Sequence, residues 1–414
     1  MKLKFLTSLL TLFLCLFVSE AQTVYNPINI DGIYYLFTGT EAKVTYLLNG
    51  TNNTPAYTGD VVIPETVGYD GATYKVTTIG NWAFQYCTNL TSVTIPSSVT
   101  YFGDHAFYHC DNLTSFKIPN SVTTVGMYSF SECTGLKSIE IPNSVTSIGV
   151  YTFQNCTNLA SVTIPNSITS ISNYTFTGCS GLKEVFIPNT VTSIGDYSFE
   201  KCTSLVSVDI PEGVTSIGKN AFQGCSGLES VTFPGSLKSL GLSAFSGCSS
   251  LKTVTLPYGL ETIGGGAFSL CDNLTEVSIP SSVTSIGSAA FGGGTTNLTT
   301  VKVDIKTPLT ITKYTFINRT NATLYVPKGC KAAYEAAAYW KEFKSIVEMG
   351  EANDADVNND GDVTIADVTA LVNIILGKDD AEPYLYDHER ADINGDGSIT
   401  IADVTALVNI ILEL

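Results

Sequence analysis

The sequence predicts a β-rich solenoid of 23-residue repeats with a capping element at each end, followed by a small all-α domain. Three observations lead there. The same residue types return every 23 positions through most of the chain. Two short acidic stretches near the C-terminus share one spacing and one downstream sequence. The acidity is also local: of a net charge of −17, the residues from Glu351 onward carry 15 acidic against 2 basic side chains. That distribution argues against a nucleic-acid partner, whose phosphates call for basic surface.

The elements follow in chain order. Lys2 and Lys4 precede an apolar run from Leu9 to Val18, and Ser19-Glu20-Ala21 puts small residues one and three before a cut. This is the pattern of a secretory signal peptide over residues 1–21. Cys15 follows Leu14, so the small residue needed for lipoprotein processing is missing and a plain export signal is expected. No later apolar stretch is long enough to cross a bilayer. Residues 22–61 read as an N-terminal cap, with a hairpin of Ile33 to Phe37 and Lys43 to Leu48 covering the first repeat. An open sheet edge needs such a cover.

Residues 62–322 carry the repeat. Phe84, Phe107 and each phenylalanine on to Phe291 stand 23 apart, as do Pro96 to Pro280, Cys87 to Cys271 and Leu90 to Leu274. In the unit CTGLKSIEIPNSVTSIGVYTF, from Cys133 to Phe153, Lys137–Ile141 alternates polar and apolar and Ser144–Ile148 does so more loosely. Both read as short strands. Pro142 ends the first and Gly149 turns the chain after the second. Leu136, Ile139, Ile141, Val145, Ile148, Phe153 and Cys156 are expected to point inward. One unit cannot bury that set, but stacked units can, at roughly 4.8 Å per step. Ten steps make a rod on the order of 50 Å long. Residues 323–350 read as a C-terminal cap, with Thr323–Val326 a last strand and Lys331–Phe343 a helical lid.

The pattern L-x-x-I-x-I-P-x-x-V-x-x-I-G-x-x-x-F-x-x-C resembles the BspA-like leucine-rich repeats of bacterial surface proteins, over about Val62 to Ile346. Ser172 replaces the turn glycine, Gly294 stands where a cysteine is due, and one residue is inserted before Leu298. The resemblance implies a leucine-rich-repeat solenoid and a role in adhesion and protein–protein contact, not catalysis.

Two stretches of the tail, residues 351–414, have the ligand spacing of a hard cation. The first offers Asp356, Asn358, Asp360, Asp362, Thr364 and Asp367; the second offers Asp392, Asn394, Asp396, Ser398, Thr400 and Asp403. These are positions 1, 3, 5, 7, 9 and 12 of an EF-hand-type loop, with Gly361 and Gly397 at the sharp turn of position 6. Two Ca²⁺ ions are expected. The helix-forming ADVTALVNIIL follows each loop, position 12 is aspartate rather than glutamate, and no helical pattern precedes the first loop. Loop-then-helix, duplicated in this way, resembles a type I-like dockerin. That resemblance implies docking onto a cohesin-like module, read partly through loop positions 10 and 11, here Ile365-Ala366 and Ile401-Ala402. The two pairs are identical, so the halves present nearly equivalent faces. Many dockerins carry hydroxyls there and basic residues later in the helix; this tail has neither.

Other constellations have plainer readings. The cysteine ladder is read as buried free thiols filling the core, because stacked Cβ vectors run parallel rather than converge. Asp104, His105, His109, Cys110 and Asp111 look briefly like a metal or catalytic cluster, but each occupies an ordinary repeat position. No catalytic constellation appears elsewhere, and with three histidines no enzyme is expected. Two residues before each ladder phenylalanine stand Trp82, His105, Tyr128, Tyr151, Tyr174 and Tyr197, and then Asn220, Ser243, Gly266 and Ala289. Rings packing on one another along a repeat edge account for the aromatic stripe. It is also the surface best suited to sugar rings or a protein partner.

The sequence therefore predicts a protein secreted by a bacterium to its exterior or surface. Its solenoid binds a host protein or glycan, and its calcium-dependent tail tethers it to a cohesin-bearing or cell-surface assembly. The alternative is a carbohydrate-recognition subunit of a polysaccharide-degrading complex.

Overall fold

A computed structural model describes residues 27–46, 57–349, 357, 364–376, 391–394 and 398–413. The expected signal peptide lies outside them. Each repeat contributes three strips to a solenoid. The first is a three-residue strand such as Ser115–Lys117, Ser138–Glu140 or Ser161–Thr163. The second is a two-residue strand such as Thr124–Val125, Ser147–Ile148 or Ser193–Ile194. Pairing is parallel and locked to the period: Ser115 faces Ser138, and Thr124 faces Ser147. The strands are shorter than the sequence suggests. Val145 N–H donates to the Pro142 carbonyl at 3.0 Å, so residues 142–145 are a turn rather than the start of a strand. Ile141, expected inside, is only half-buried beside that turn.

The third strip carries the ladder phenylalanines between two left-handed residues. All ten positions two before phenylalanine, from Trp82 to Ala289, have φ between 54° and 64°. A left-handed residue other than glycine costs roughly 1–2 kcal/mol. Inter-repeat hydrogen bonds offset it: Tyr174, Phe176 and Gly178 N–H donate to the carbonyls of Asp196, Ser198 and Glu200 at 2.7–2.9 Å. Gly149 answers to closeness instead, since a Cβ there would lie 2.6 Å from the Met127 nitrogen.

Phe84 to Phe291 are buried to 1% exposure or less and stack at 5.0–5.7 Å between centroids, close to the strand spacing. Tyr57 covers one end of the column at 4.6 Å from Phe84, and Phe316 and Trp340 extend the other.

The cysteines are buried alongside, and among the described residues none forms a disulfide. From Cys110 to Cys271 each Sγ donates to the carbonyl of the preceding repeat's phenylalanine, as Cys179 does to Phe153 at 3.0 Å. The column therefore selects a small donor. Where cysteine fails, at Gly294, the inserted residue brings Thr295 into place, and its hydroxyl donates to the Phe268 carbonyl at 3.0 Å. Burial pushes the Cys179, Cys225 and Cys271 thiols up to about 12. A thiol reagent at about pH 8 is thus expected to label, in folded residues 22–414, only the partly exposed Cys330 of the ten cysteines, and all ten after denaturation. Several sites labelled in the folded protein would contradict a thiol core.

Both caps are more extensive than expected. Ile33–Thr38 and Glu41–Thr45 form the antiparallel hairpin; Ile28–Ile30 extends it, and Glu41–Thr45 joins Ala72–Ile79 in parallel. At the other end Ser345–Glu348 pairs with Thr323–Val326, which is therefore not the last strand. The expected lid helix is helical only over α1, Lys331–Ala336, and again as a 3₁₀ turn at Trp340–Glu342. Ala337, in an extended conformation, ends α1, and Tyr339, at φ 67°, starts the 3₁₀ turn in which Trp340 packs under Phe316 and donates to the Leu309 carbonyl at 2.7 Å.

The tail has its own small core of Val357, Ala370, Leu371, Ala391 and Leu407. Helix α2 spans Ile365–Ile375 and α3 spans Ile401–Glu413. Among the described residues no helix is long and apolar enough to cross a membrane.

Candidate functional site

The tail shows how an aspartate at loop position 12 serves two ends. Asp367 is the third residue of α2, and its carboxylate accepts from Thr364 N–H at 2.8 Å while the Thr364 hydroxyl accepts from Ala366 N–H, which caps the helix. Asp403 repeats this, accepting from Thr400 N–H at 2.8 Å, and its other oxygen accepts from Asn394 N–H at 3.2 Å. Positions 3, 9 and 12 of the second loop thus converge on one carboxylate. Both aspartates are fully buried. Burial raises the Asp403 carboxyl, but the hydrogen bonds from Thr400 and Asn394 outweigh it and hold the group below the ordinary carboxylate range.

A buried, ionised carboxylate with oxygen donors around it fits a hard cation. Asp392, Ser398 and Thr400 lie on the same loop; Asp356, Asn358, Asp360, Asp362 and Asp396 fall outside the described residues. Among the described residues alone, no group of three acidic, histidine or cysteine side chains gathers to hold a metal.

Above each buried aspartate the helix opens with an exposed isoleucine. Ile365 is 72% exposed and Ile401 71%, and Ala366 and Ala402 are exposed beside them. The two predicted partner-reading pairs therefore occupy matching places on α2 and α3.

In the aromatic stripe, rings lie on rings. His105, Tyr128, Tyr151, Tyr174 and Tyr197 stack face to face with centroids 4.3–4.7 Å apart, Trp82 packs on His105 at 6.2 Å, and Lys219 sits 5.6 Å over Tyr197. Faces used in this way cannot hold sugar; what the stripe offers a partner is ring edges and hydroxyls.

The histidine cluster is absorbed into the same architecture. Asp104 accepts from Met127 N–H, the Cys110 thiol donates to Phe84, and His109 lies 3.2 Å from the Asp111 carboxylate. Burial holds the His105 imidazole below its ordinary value. No arrangement for nucleophilic or acid–base chemistry results.

Sequence reasoning passed over Phe186. Outward strand positions in its column hold Lys117, Glu140, Thr163 and Asp209, yet Phe186 stands there 62% exposed, at the mouth of a cleft of about 630 Å³. The break in a polar column was the signal available.

Comparison with known proteins agrees with this anatomy. The BspA type leucine-rich repeat region matches residues 72–183 and 192–323 in six copies, and the dockerin type I domain matches residues 354–412. A solved leucine-rich repeat protein from Bacteroides ovatus is 26% identical, covering 77% of this chain and 88% of its own, with a TM-score of 0.61. A leucine-rich cell surface protein from Faecalibacterium prausnitzii is 23% identical over 81% and 97%, with a TM-score of 0.43. The leucine-rich repeat protein of T. pallidum is 26% identical over 54% and 90%, with a TM-score of 0.38. Among curated proteins none matches.

Proposed function

This chain belongs to the BspA-type leucine-rich repeat family and ends in a type I dockerin domain, and from that premise we propose an exported bacterial adaptor. Its solenoid binds a protein partner, and its tail, folded around two Ca²⁺ ions, tethers it to a cohesin-bearing or surface assembly. Repeats and dockerins are binding modules, and no catalytic step is assigned. Asp392, Asn394, Asp396, Ser398, Thr400 and Asp403 would hold the second ion, and the corresponding residues of the first loop the other. When bound, calcium would supply positive charge against the buried Asp367 and Asp403 carboxylates and fix the loops against the helices.

The observation that carries this reading is the matched exposure of Ile365 and Ile401 on helices pinned by Asp367 and Asp403. Two isoleucines left in water at equivalent places are what a docking face needs. The test is binding to a panel of cohesin modules with calcium present. Ile365→Asp and Ile401→Asp singly are expected to weaken the best binder severalfold or less, since the other face substitutes, and the double variant by roughly 100-fold or more. A double variant that binds like the parent, or a panel that binds nothing, would overturn the docking surface. In that case the solenoid would act as an adhesin toward a host protein, with the tail only structural.

A further inference from the structure

We propose that the cleft beside Phe186 binds a neutral sugar unit of a glycan. This goes beyond the tethering reading and does not depend on it. The cleft, about 630 Å³, lies within the ~300–1,000 Å³ range of small-molecule sites.

Its chemistry is specific in three ways. Phe186 is register partner to Thr163 and, unlike the stripe tyrosines, stacks on no other ring among the described residues, so a face is open. An aromatic face beside hydroxyl and amide groups suits the C–H face and hydroxyls of a pyranose. Next, Asn120, Asn143 and Asn166 line the wall as consecutive members of the post-proline column. The repeats beyond Asn189 replace asparagine there with Glu212, Gly235, Tyr258 and Ser281. Asn143 Oδ1 accepts from Asn166 N–H at 3.1 Å, which fixes that amide and leaves its NH₂ to donate. Finally, Ser144 in the wall has a buried hydroxyl without a hydrogen-bond partner, whereas Ser121 and Ser167, one repeat either side, donate to the carbonyls of Val99 and Val145. That oxygen is buried, so it meets a ligand hydroxyl, and regains a hydrogen bond, by rotation of the Ser144 side chain toward the cleft.

No lining residue is charged, and Lys117 and Glu140 nearby are paired with each other at 3.1 Å. That excludes sulfated and uronic sugars as the preferred ligand and leaves neutral hexose or pentose units.

The experiment applies residues 22–414 to an array of neutral and anionic oligosaccharides in the presence of chelator, so that loss of the tail's calcium plays no part. The strongest neutral binder is then titrated by calorimetry against the parent, Phe186→Ala, Phe186→Trp and Ser144→Ala. Binding is expected to weaken at least about tenfold in Phe186→Ala, to persist in Phe186→Trp, and to fall severalfold in Ser144→Ala, with thermal unfolding unchanged for the exposed Phe186 variants. The proposal fails if no neutral oligosaccharide binds, if the bound one is indifferent to Phe186→Ala, or if Phe186 proves instead to be needed for a protein partner.

Discussion

Phe199→Ala is expected to destabilise the solenoid by about 3–5 kcal/mol. Phe199 is fully buried, its ring lies 5.3 Å from Phe176 and 5.1 Å from Phe222, and its carbonyl accepts the Cys225 thiol at 3.1 Å. Truncation removes both stacking contacts and opens a cavity between repeats that the rigid 23-residue register cannot close. Because each repeat is stabilised mainly by its neighbours, the damage spreads along the column, and the unfolding midpoint falls on the order of 10 °C. Phe186→Ala, on the exposed side of the same repeat, should stay within about 0.5 kcal/mol. Denaturant unfolding of the two variants checks both numbers. A loss under about 1 kcal/mol for Phe199→Ala would mean that the ring column does not hold the repeats together.

Asp403→Asn is expected to weaken calcium binding at the second loop by about 100-fold or more and to unfold α3 at micromolar calcium. The substitution removes a ligand charge and, with it, the acceptor on which Thr400 and Asn394 converge. An amide can accept on one oxygen only, so one end of the loop is released as well. Calorimetric calcium titration read beside far-ultraviolet circular dichroism measures both effects. Unchanged affinity would remove the second loop from the metal-binding account. A pH dependence follows from the same geometry. A carboxyl held below its ordinary value contributes stability that is complete above about pH 4 and lost as pH falls through the lowered value. The tail should therefore loosen on acidification while the solenoid, whose core is apolar and whose thiols stay protonated, remains folded.

The solenoid was legible because its determinants are periodic and apolar: phenylalanine, leucine, cysteine and proline return at 23, and stacking is the arrangement that buries them together. The dockerin domain was legible because its duplicated acidic spacing and the helix sequence after it stand out residue by residue. What escaped is conformational or singular. The left-handed residue before each phenylalanine has no residue signature, being Trp82, Tyr151, Asn220, Ser243 or Ala289 by turns, because inter-repeat hydrogen bonds impose the conformation on whatever stands there. The same geometry sets the stripe's rings on one another, which alternation along a strand does not reveal. Cysteine reads as a filler of space until its donor role to the phenylalanine carbonyl is visible, and Thr295 makes that role plain. Extended Ala337 ends a helix that propensity alone would continue to Phe343. Phe186 differs from the others: the polar column it interrupts is in the sequence, but one residue carries little weight among so many repeating ones.

The most direct test of a calcium-dependent tether is capture of surface and secreted proteins from the producing bacterium. Residues 22–414 and a chain ending at Gly350 would each serve as bait, with calcium and with chelator. The expected result is a partner held by the longer chain in calcium, released by chelator and never held by the shorter one, and that partner should carry cohesin-like modules. Capture that is the same for both chains, or indifferent to calcium, would contradict tethering through the tail and assign all binding to the solenoid.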